Sequence, residues 1–339
     1  MNALLNQYGG LFQAGVFATV LFALAISLVC ALSYPALQKF FDGVPPDRRA
    51  NMLFVFAMSP LLGSFAFLLL SFAPSLLALA GLAADHCHLH PDHPHLCLLH
   101  PPMIGRASVL MLLSIAGCAV PLALMAAWAY GVWRSHRLVS RLMRLSHRDE
   151  VHGVHVVALD APMAFAAGLR MPELFVSRQL LARLTPQQLA VVIAHERAHA
   201  VRQDALRQLL ASFGAWLHLP SLRRTLLAEM AMAAEQACDE RAAMHTGGDR
   251  ITVAETIIKV EKLFAQWAPI GDAAVLPMPV SHFVGSNVPC RVQALLALPA
   301  GPSSHSDARP LLALALAGLI ALVLPLHHMT ESLLGFLVH

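Results

Sequence analysis

The stretch Ala190 to Asp204 reads AVVIAHERAHAVRQD and places His195, Glu196 and His199 in the spacing H-E-x-x-H. On a helix of about 3.6 residues per turn, two histidines four apart stand on one face. Imidazoles so placed can grip one zinc ion, and the glutamate beside the first can reach the water that such a site activates. The residues before the motif predict the helix. Thr185-Pro186-Gln187-Gln188 forms a capping box with proline at the first helical position, and Leu189, Val192, Ile193 and Ala194 surround the histidines with apolar side chains. With 19 histidines in the chain, chance supplies such a spacing in roughly a few per cent of shuffled sequences, so the motif needs support from elsewhere.

Composition sets the context. The 339 residues are 57% hydrophobic and only 13% charged, with a mean hydropathy of +0.62, which is the profile of a membrane protein. The formal charge of +3 is small, and the basic residues are scattered between apolar blocks. Nothing resembles a nucleic-acid-binding surface. Cys30 and Cys118 lie inside apolar runs and read as packed small side chains.

Leu11 to Leu37 carries no charged residue and is long enough to cross about 30 Å of hydrocarbon as a helix. A cleavable signal peptide competes with this reading, but residues 1–10 hold no Lys or Arg and the apolar run is too long for one. A second uncharged run, Ala50 to Ala84, is expected to kink or break at Pro60 and Pro74, giving one tilted span and an interfacial turn. A third, Ala107 to Trp133, precedes Arg134, Arg137, Arg141, Arg144 and Arg148, and a fourth runs from Leu311 to Leu326. Lys and Arg concentrate between spans one and two and after span three, while the loop between spans two and three has only Arg106. The positive-inside rule then puts residues 134–310 in the cytoplasm and the 85–106 loop outside. The expected organisation is a three-span region over 1–133, a cytoplasmic catalytic domain and linker over 134–310, and a fourth span with a short outer tail over 311–339.

The outer loop reads DHCHLHPDHPHLCLLHPP from Asp85, with His86, His88, His90, His93, His95 and His100 beside Cys87 and Cys97. Such density of imidazole and thiol suits an additional zinc or copper ion. The competing reading is a polar loop whose two cysteines form a disulfide in an oxidising compartment.

Within the cytoplasmic region the pattern turns globular. Val151 to Leu159 and Leu174 to Ser177 read as strands with Met163 to Ala167 as a third, and Gly168 and Pro172 suggest a hairpin between the last two. Ala228 to Met244 reads as a helix with Glu235 and Asp239 on one face. A catalytic zinc needs a third ligand and an open position, and Glu235 is the candidate for that ligand. Asp239 is placed to accept a hydrogen bond from the free ring nitrogen of a ligating histidine. A merely solvated acidic face is the plain alternative, and His218 and His245 rank below Glu235 as ligands.

HERAHAVRQD, WLHLP at Trp216 to Pro220 and EQACDERA at Glu235 to Ala242 together resemble the membrane-embedded M56 metallopeptidases, the family of the BlaR and MecR sensor-transducers, and more distantly the M48 gluzincins. The resemblance implies a mostly α membrane protein, four transmembrane helices with a cytoplasmic α+β gluzincin-like zinc peptidase domain inserted between spans three and four. It maps the zinc ligands onto His195, His199 and Glu235, the general base onto Glu196 and the supporting aspartate onto Asp239. It further implies a bacterial inner-membrane endopeptidase that cleaves a cytoplasmic regulator of transcription, or itself, during signal transduction. The chain departs from the sensor-transducers after the fourth span, where they continue into an extracellular penicillin-binding domain and this sequence ends at His339.

Three function classes follow. The leading one is the zinc endopeptidase, with metal at the histidine loop as a candidate signal. A metal transporter is disfavoured because the spans carry no Asp, Glu, Lys, Arg or His through their centres, and a non-proteolytic membrane sensor is disfavoured by the complete constellation. Substrate is expected along an edge strand at Met163 to Ala167, with Arg241 and His245 as weak candidates for stabilising the oxyanion. Residues 262–310 suggest loops, with Arg291 to Leu298 a short helix at the membrane surface and room for a self-cleavage site.

Overall fold

In the computed structural model of the chain, residues 2–82, 97–99, 101, 109–267, 281–282 and 288–297 are described, with isolated helical positions at 325, 328, 329 and 332. Most of the histidine loop, the fourth apolar run and most of the 268–310 segment therefore lie outside the described residues. The described part is dominated by helices, and the chain divides into two compact units, one of residues 1–32, 59–126 and 302–339 and one of residues 33–58 and 127–301.

Among the described residues, three stretches are long and apolar enough to cross a membrane, Tyr8–Asp42, Pro46–Leu79 and Met111–Leu145. The first lies in α1 (Asn2–Asp42), which continues through Pro35. The second is α2 (Pro46–Ser71) followed by α3 (Ala73–Leu79). α2 runs through Pro60 without interruption, and the break falls at Phe72, with Pro74 in the first turn of α3, where its missing N–H costs nothing. The third lies in α4 (Val109–Leu145), which extends well past Trp133 through the arginine-rich segment, because arginine is a good helix former.

In the first unit α1 and α2 pack through Phe22 and Phe67, whose ring centroids are 5.4 Å apart, and through the Cys30 thiol 3.3 Å from the Ser59 hydroxyl. Cys97 is buried, and its sulfur accepts a hydrogen bond of 3.3 Å from Ser75. Cys87, its partner in the competing disulfide reading, lies outside the described residues.

The second unit holds a five-stranded sheet in the order β1-β2-β4-β3-β5. The strands are β1 (His147–Asp149), β2 (Val154–Val157), β3 (Ala164–Ala167), β4 (Glu173–Ser177) and β5 (Ser281–His282). β3 and β4 form the expected hairpin. Its bend needs Gly168, which has φ +123° and where an added Cβ would sit 2.8 Å from the Met171 carbonyl oxygen. β2 joins β4 in parallel, and the other pairings are antiparallel.

Side chains alternate across this sheet, so both faces are covered. Val154, Ala164 and Val176 face a core with Leu180, Val191, Val192, Val253 and Ile257. Val157, Phe165, Ala167 and Phe175 face Val139 and Leu142 of α4. The expectation of β3 as an edge strand is corrected here: β5 pairs with its outer side, Ser281 opposite Ala166 and His282 opposite Phe165.

The remaining helices are α5 (Arg178–Arg183), α6 (Pro186–Arg202), α7 (Asp204–Gly214), α8 (Pro220–His245), α9 (Arg250–Trp267) and α10 (Val288–Leu296). α10 buries one face and exposes Pro289, Cys290, Gln293 and Leu296 on the other. Arg291 and Leu295 are 1% and 2% exposed, because the arginine side chain is held by buried carboxylates rather than by water. Residues 33–58, read from the sequence as part of the membrane region, belong to this second unit. Gln38 donates to Glu229 of α8 at 2.7 Å, and Phe56 stacks on His218 with 6.0 Å between ring centroids.

Candidate metal centre

α6 begins as the sequence predicts. The Thr185 hydroxyl accepts from the Gln188 N–H, the Gln188 side chain accepts from the Thr185 N–H, and Pro186 opens the helix. His195, Glu196 and His199 are all buried on the side that faces α8 and the sheet. α8 starts at Pro220, earlier than its predicted start at Ala228, and brings Glu235 and Asp239 against them, both buried.

Three ligand atoms converge. His195 Nε2 and His199 Nε2 are 3.1 Å apart, and Glu235 lies 3.5 Å from the first through Oε2 and 3.4 Å from the second through Oε1. Ligands about 2.0–2.1 Å from a tetrahedral zinc stand roughly 3.3 Å from one another, so the triangle has the size that zinc requires. The outer nitrogens explain why the inner ones converge. His195 Nδ1 is 2.9 Å from Asp239 Oδ1, and His199 Nδ1 is 2.8 Å from Asp204 Oδ2. A carboxylate at Nδ1 holds the proton there and leaves the Nε2 lone pair free for a cation. Two imidazole nitrogens and a carboxylate that converge at this spacing offer three donor atoms to one divalent ion. These residues fit zinc, and no other pair of histidines among the described residues converges on a carboxylate in this way.

Glu196 stands beside the triangle and is not one of its corners. Its Oε2 accepts from the Ala166 N–H of β3 at 2.9 Å, while Oε1 is buried without a hydrogen-bond partner among the described residues. Burial pushes its carboxyl up to about 7 against the pull of the two imidazoles. A carboxylate with that proton affinity is suited to take and return a proton near neutral pH.

The surrounding charges are strongly coupled. Burial opposes charge on His195, but Asp239 and Glu235 outweigh it and raise its pKa. His199 is likewise raised well above its ordinary value, burial being overcome by the Glu235 and Asp204 carboxylates. Glu235 is held well below the usual carboxylate range, despite burial, by His199, His195 and Arg291. Burial lifts the Cys238 thiol to about 11, so it stays protonated beside Asp204, 3.6 Å away.

Sequence reasoning missed three members of this cluster. Asp204, the support of His199, stands at the end of the quoted stretch, five residues after that histidine, and a turn through Gln203 at φ 54° folds it back. Arg202 grips Asp204 through Nε at 3.1 and 3.0 Å. Arg291 binds both oxygens of Asp239 at 2.8 and 2.6 Å and lies 3.1 Å from Glu235 Oε2. It is 52 residues from Asp239 in sequence, and no local pattern announces it.

The lesser candidates go elsewhere. His218 Nε2 is 3.2 Å from the Phe56 carbonyl oxygen, Arg241 turns to Asp47 at 3.4 Å, and His245 is exposed at the end of α8.

The family model for peptidase family M48 matches residues 133–268. No curated protein matches the chain. M48 peptidases are typically zinc-dependent, and the matched interval contains α6 and α8 with His195, Glu196, His199, Glu235 and Asp239. The site and the match both support a zinc metallopeptidase, in a chain whose described residues include three helices of membrane-crossing length.

Proposed function

We propose that the chain is an integral-membrane zinc endopeptidase of the bacterial inner membrane, of the M56 sensor-transducer kind, that cuts a cytoplasmic regulator or its own chain in response to an outside signal. The observation that carries the reading is the triangle of His195, His199 and Glu235 with Glu196 beside it. A zinc ion held by the triangle would supply the positive charge that acidifies water and polarises a peptide carbonyl. Glu196 receives the proton through its unpartnered oxygen and delivers it to the departing amine. Asp239 and Asp204 keep the two imidazoles in one tautomer throughout, and Arg291 keeps Glu235 and Asp239 ionised in a buried place.

Peptide paired with β3 in the place that β5 occupies would lie next to Glu196, since Ala166 of β3 bonds the carboxylate directly. The strand now beside β3 is the chain's own Ser281–His282, which supports self-cleavage as one form of the activity. The basic loops that flank the spans favour a cytoplasmic catalytic unit. Additional metal at the histidine loop remains part of the proposal as the source of the signal. The test is a proteomic comparison of cells expressing the intact protein and its Glu196→Gln variant. The reading expects a cytoplasmic fragment, from a regulator or from the chain itself, in the first only. Identical fragment sets would overturn it.

A further inference from the structure

We infer that the lower part of α4 is a binding site for the headgroup of an acidic phospholipid. Tyr130, Arg134, Arg137, Arg141 and Arg144 follow one another at spacings of four, three, four and three residues, which puts them on one stripe of the helix. All five are exposed. The opposite stripe, Ser135, Val139 and Leu142, is turned inward, and Val139 and Leu142 pack on the sheet. The arginines are therefore not spare charges on a solvated helix all round. They form one face of an element whose other face is fixed to the catalytic unit.

The stripe borders an open groove. Trp133, Arg134, Arg137, Leu138 and Arg141 line this space of about 250 Å³ on the helix surface. The Arg137 guanidinium sits over the Trp133 ring, 4.8 Å from its centroid, which pre-orders that side chain. Among the described residues no carboxylate pairs with Arg134, Arg137 or Arg141, so their charge is available to a ligand.

The location selects the ligand. Above the arginines α4 is apolar, with Leu112, Ile115 and Leu122 each more than half exposed, as befits contact with acyl chains. Tyr130 and Trp133, 61% and 51% exposed, mark the level where amphipathic rings settle at a membrane interface. At about 1.5 Å per residue, Arg134 and Arg137 lie about 1.5 and 6 Å beyond Trp133, inside a headgroup layer several ångströms thick. Arg141 follows about 6 Å beyond Arg137, within the distance over which salt leaves attraction unscreened, about 8 Å. A ligand meeting all of these needs a phosphate at the arginines and hydrocarbon along the helix above. That is a lipid rather than a free anion, a peptide or a nucleic acid. Because the same helix packs on the strands beside Glu196, the bound lipid would anchor the catalytic sheet at a set depth.

The test uses full-length protein reconstituted in vesicles that contain an equal fraction of bromine-labelled phosphatidylglycerol or of bromine-labelled phosphatidylcholine. Fluorescence attributable to Trp133 is obtained by difference from Trp133→Phe. The expected result is quenching at least twofold stronger with the acidic lipid. That preference should disappear in the triple variant Arg134→Gln, Arg137→Gln, Arg141→Gln and persist in the matching triple Lys variant. Equal quenching by the two lipids in the unaltered protein would overturn the inference, with no variant needed. A preference that survives the triple Gln variant would also overturn it. Because the readout does not depend on proteolysis, Glu196→Gln protein should behave as the unaltered chain does.

Discussion

Asp47, in the first turn of α2, accepts a hydrogen bond from Arg202, the last residue of the helix that carries both histidines. Arg202 in turn holds Asp204 at 3.0 Å, and Asp204 holds His199 Nδ1 at 2.8 Å. The start of α2 is thus three contacts from a candidate zinc ligand. Every contact is a charged hydrogen bond, and apart from Asp47 each group is buried.

This chain of contacts predicts a graded response. Asp204→Asn, which weakens the direct support of His199, should lower zinc affinity about 10–100-fold. Asp47→Ala acts through Arg202 and should cost less, roughly a few-fold, with rescue by Asp47→Glu. Competition against a chromophoric chelator measures both. An unchanged affinity in the Asp204 variant would contradict the assigned support.

Arg291 joins Asp239 and Glu235 while only 1% exposed. Removing one partner from a buried ionic cluster costs about 3–5 kcal/mol, because the other charges are left without compensation. Arg291→Ala should therefore lower the unfolding midpoint of metal-free protein strongly. Zinc should restore part of the loss, since it supplies positive charge beside Glu235. Arg291→Lys keeps the charge but loses the two-pronged grip and should fall between. Thermal unfolding with and without zinc gives the answer, and equal midpoints for Ala and native proteins would refute the role.

The directions of the pKa shifts fix a pH dependence. His195 and His199 are raised, so in metal-free protein their stabilising charge is fully present below about 6.5 and is lost as pH rises through their folded-state values. Glu235, Asp239 and Asp204 are lowered, and their contribution is present above about 4 and lost on acidification. Zinc requires neutral imidazoles, so its uptake should expel protons and its apparent affinity should fall as pH falls. Calorimetric titration at neutral pH in two buffers of different ionisation enthalpy reads the released protons. A heat independent of buffer would be inconsistent with protonated His195 and His199.

Much of the site was legible because its parts are local. The capping box at Thr185, the four-residue spacing of His195 and His199, and the four-residue spacing of Glu235 and Asp239 are all statements about one helix turn. The hairpin was announced by Gly168, whose backbone conformation no other residue adopts readily. What could not be read depended on contacts between distant segments. Arg291 looks like a surface residue of a short helix until two buried carboxylates meet it. β5 is two residues long and acquires meaning only beside β3, so an internal strand read as an edge. Residues 33–58 read as the ends of membrane spans, because nothing in them reveals that Gln38, Asp47 and Phe56 meet α8, Arg202 and His218.

The central claim is that one zinc, held by His195, His199 and Glu235, works with Glu196 as the proton carrier. The direct measurement is zinc content and cleavage of an unstructured protein substrate, taken on the same preparations of the full chain, Glu196→Gln and Glu235→Gln. The account predicts zinc in the full chain and in Glu196→Gln, cleavage in the full chain alone, and loss of both zinc and cleavage in Glu235→Gln. Undiminished cleavage by Glu196→Gln, or full zinc content in Glu235→Gln, would contradict it.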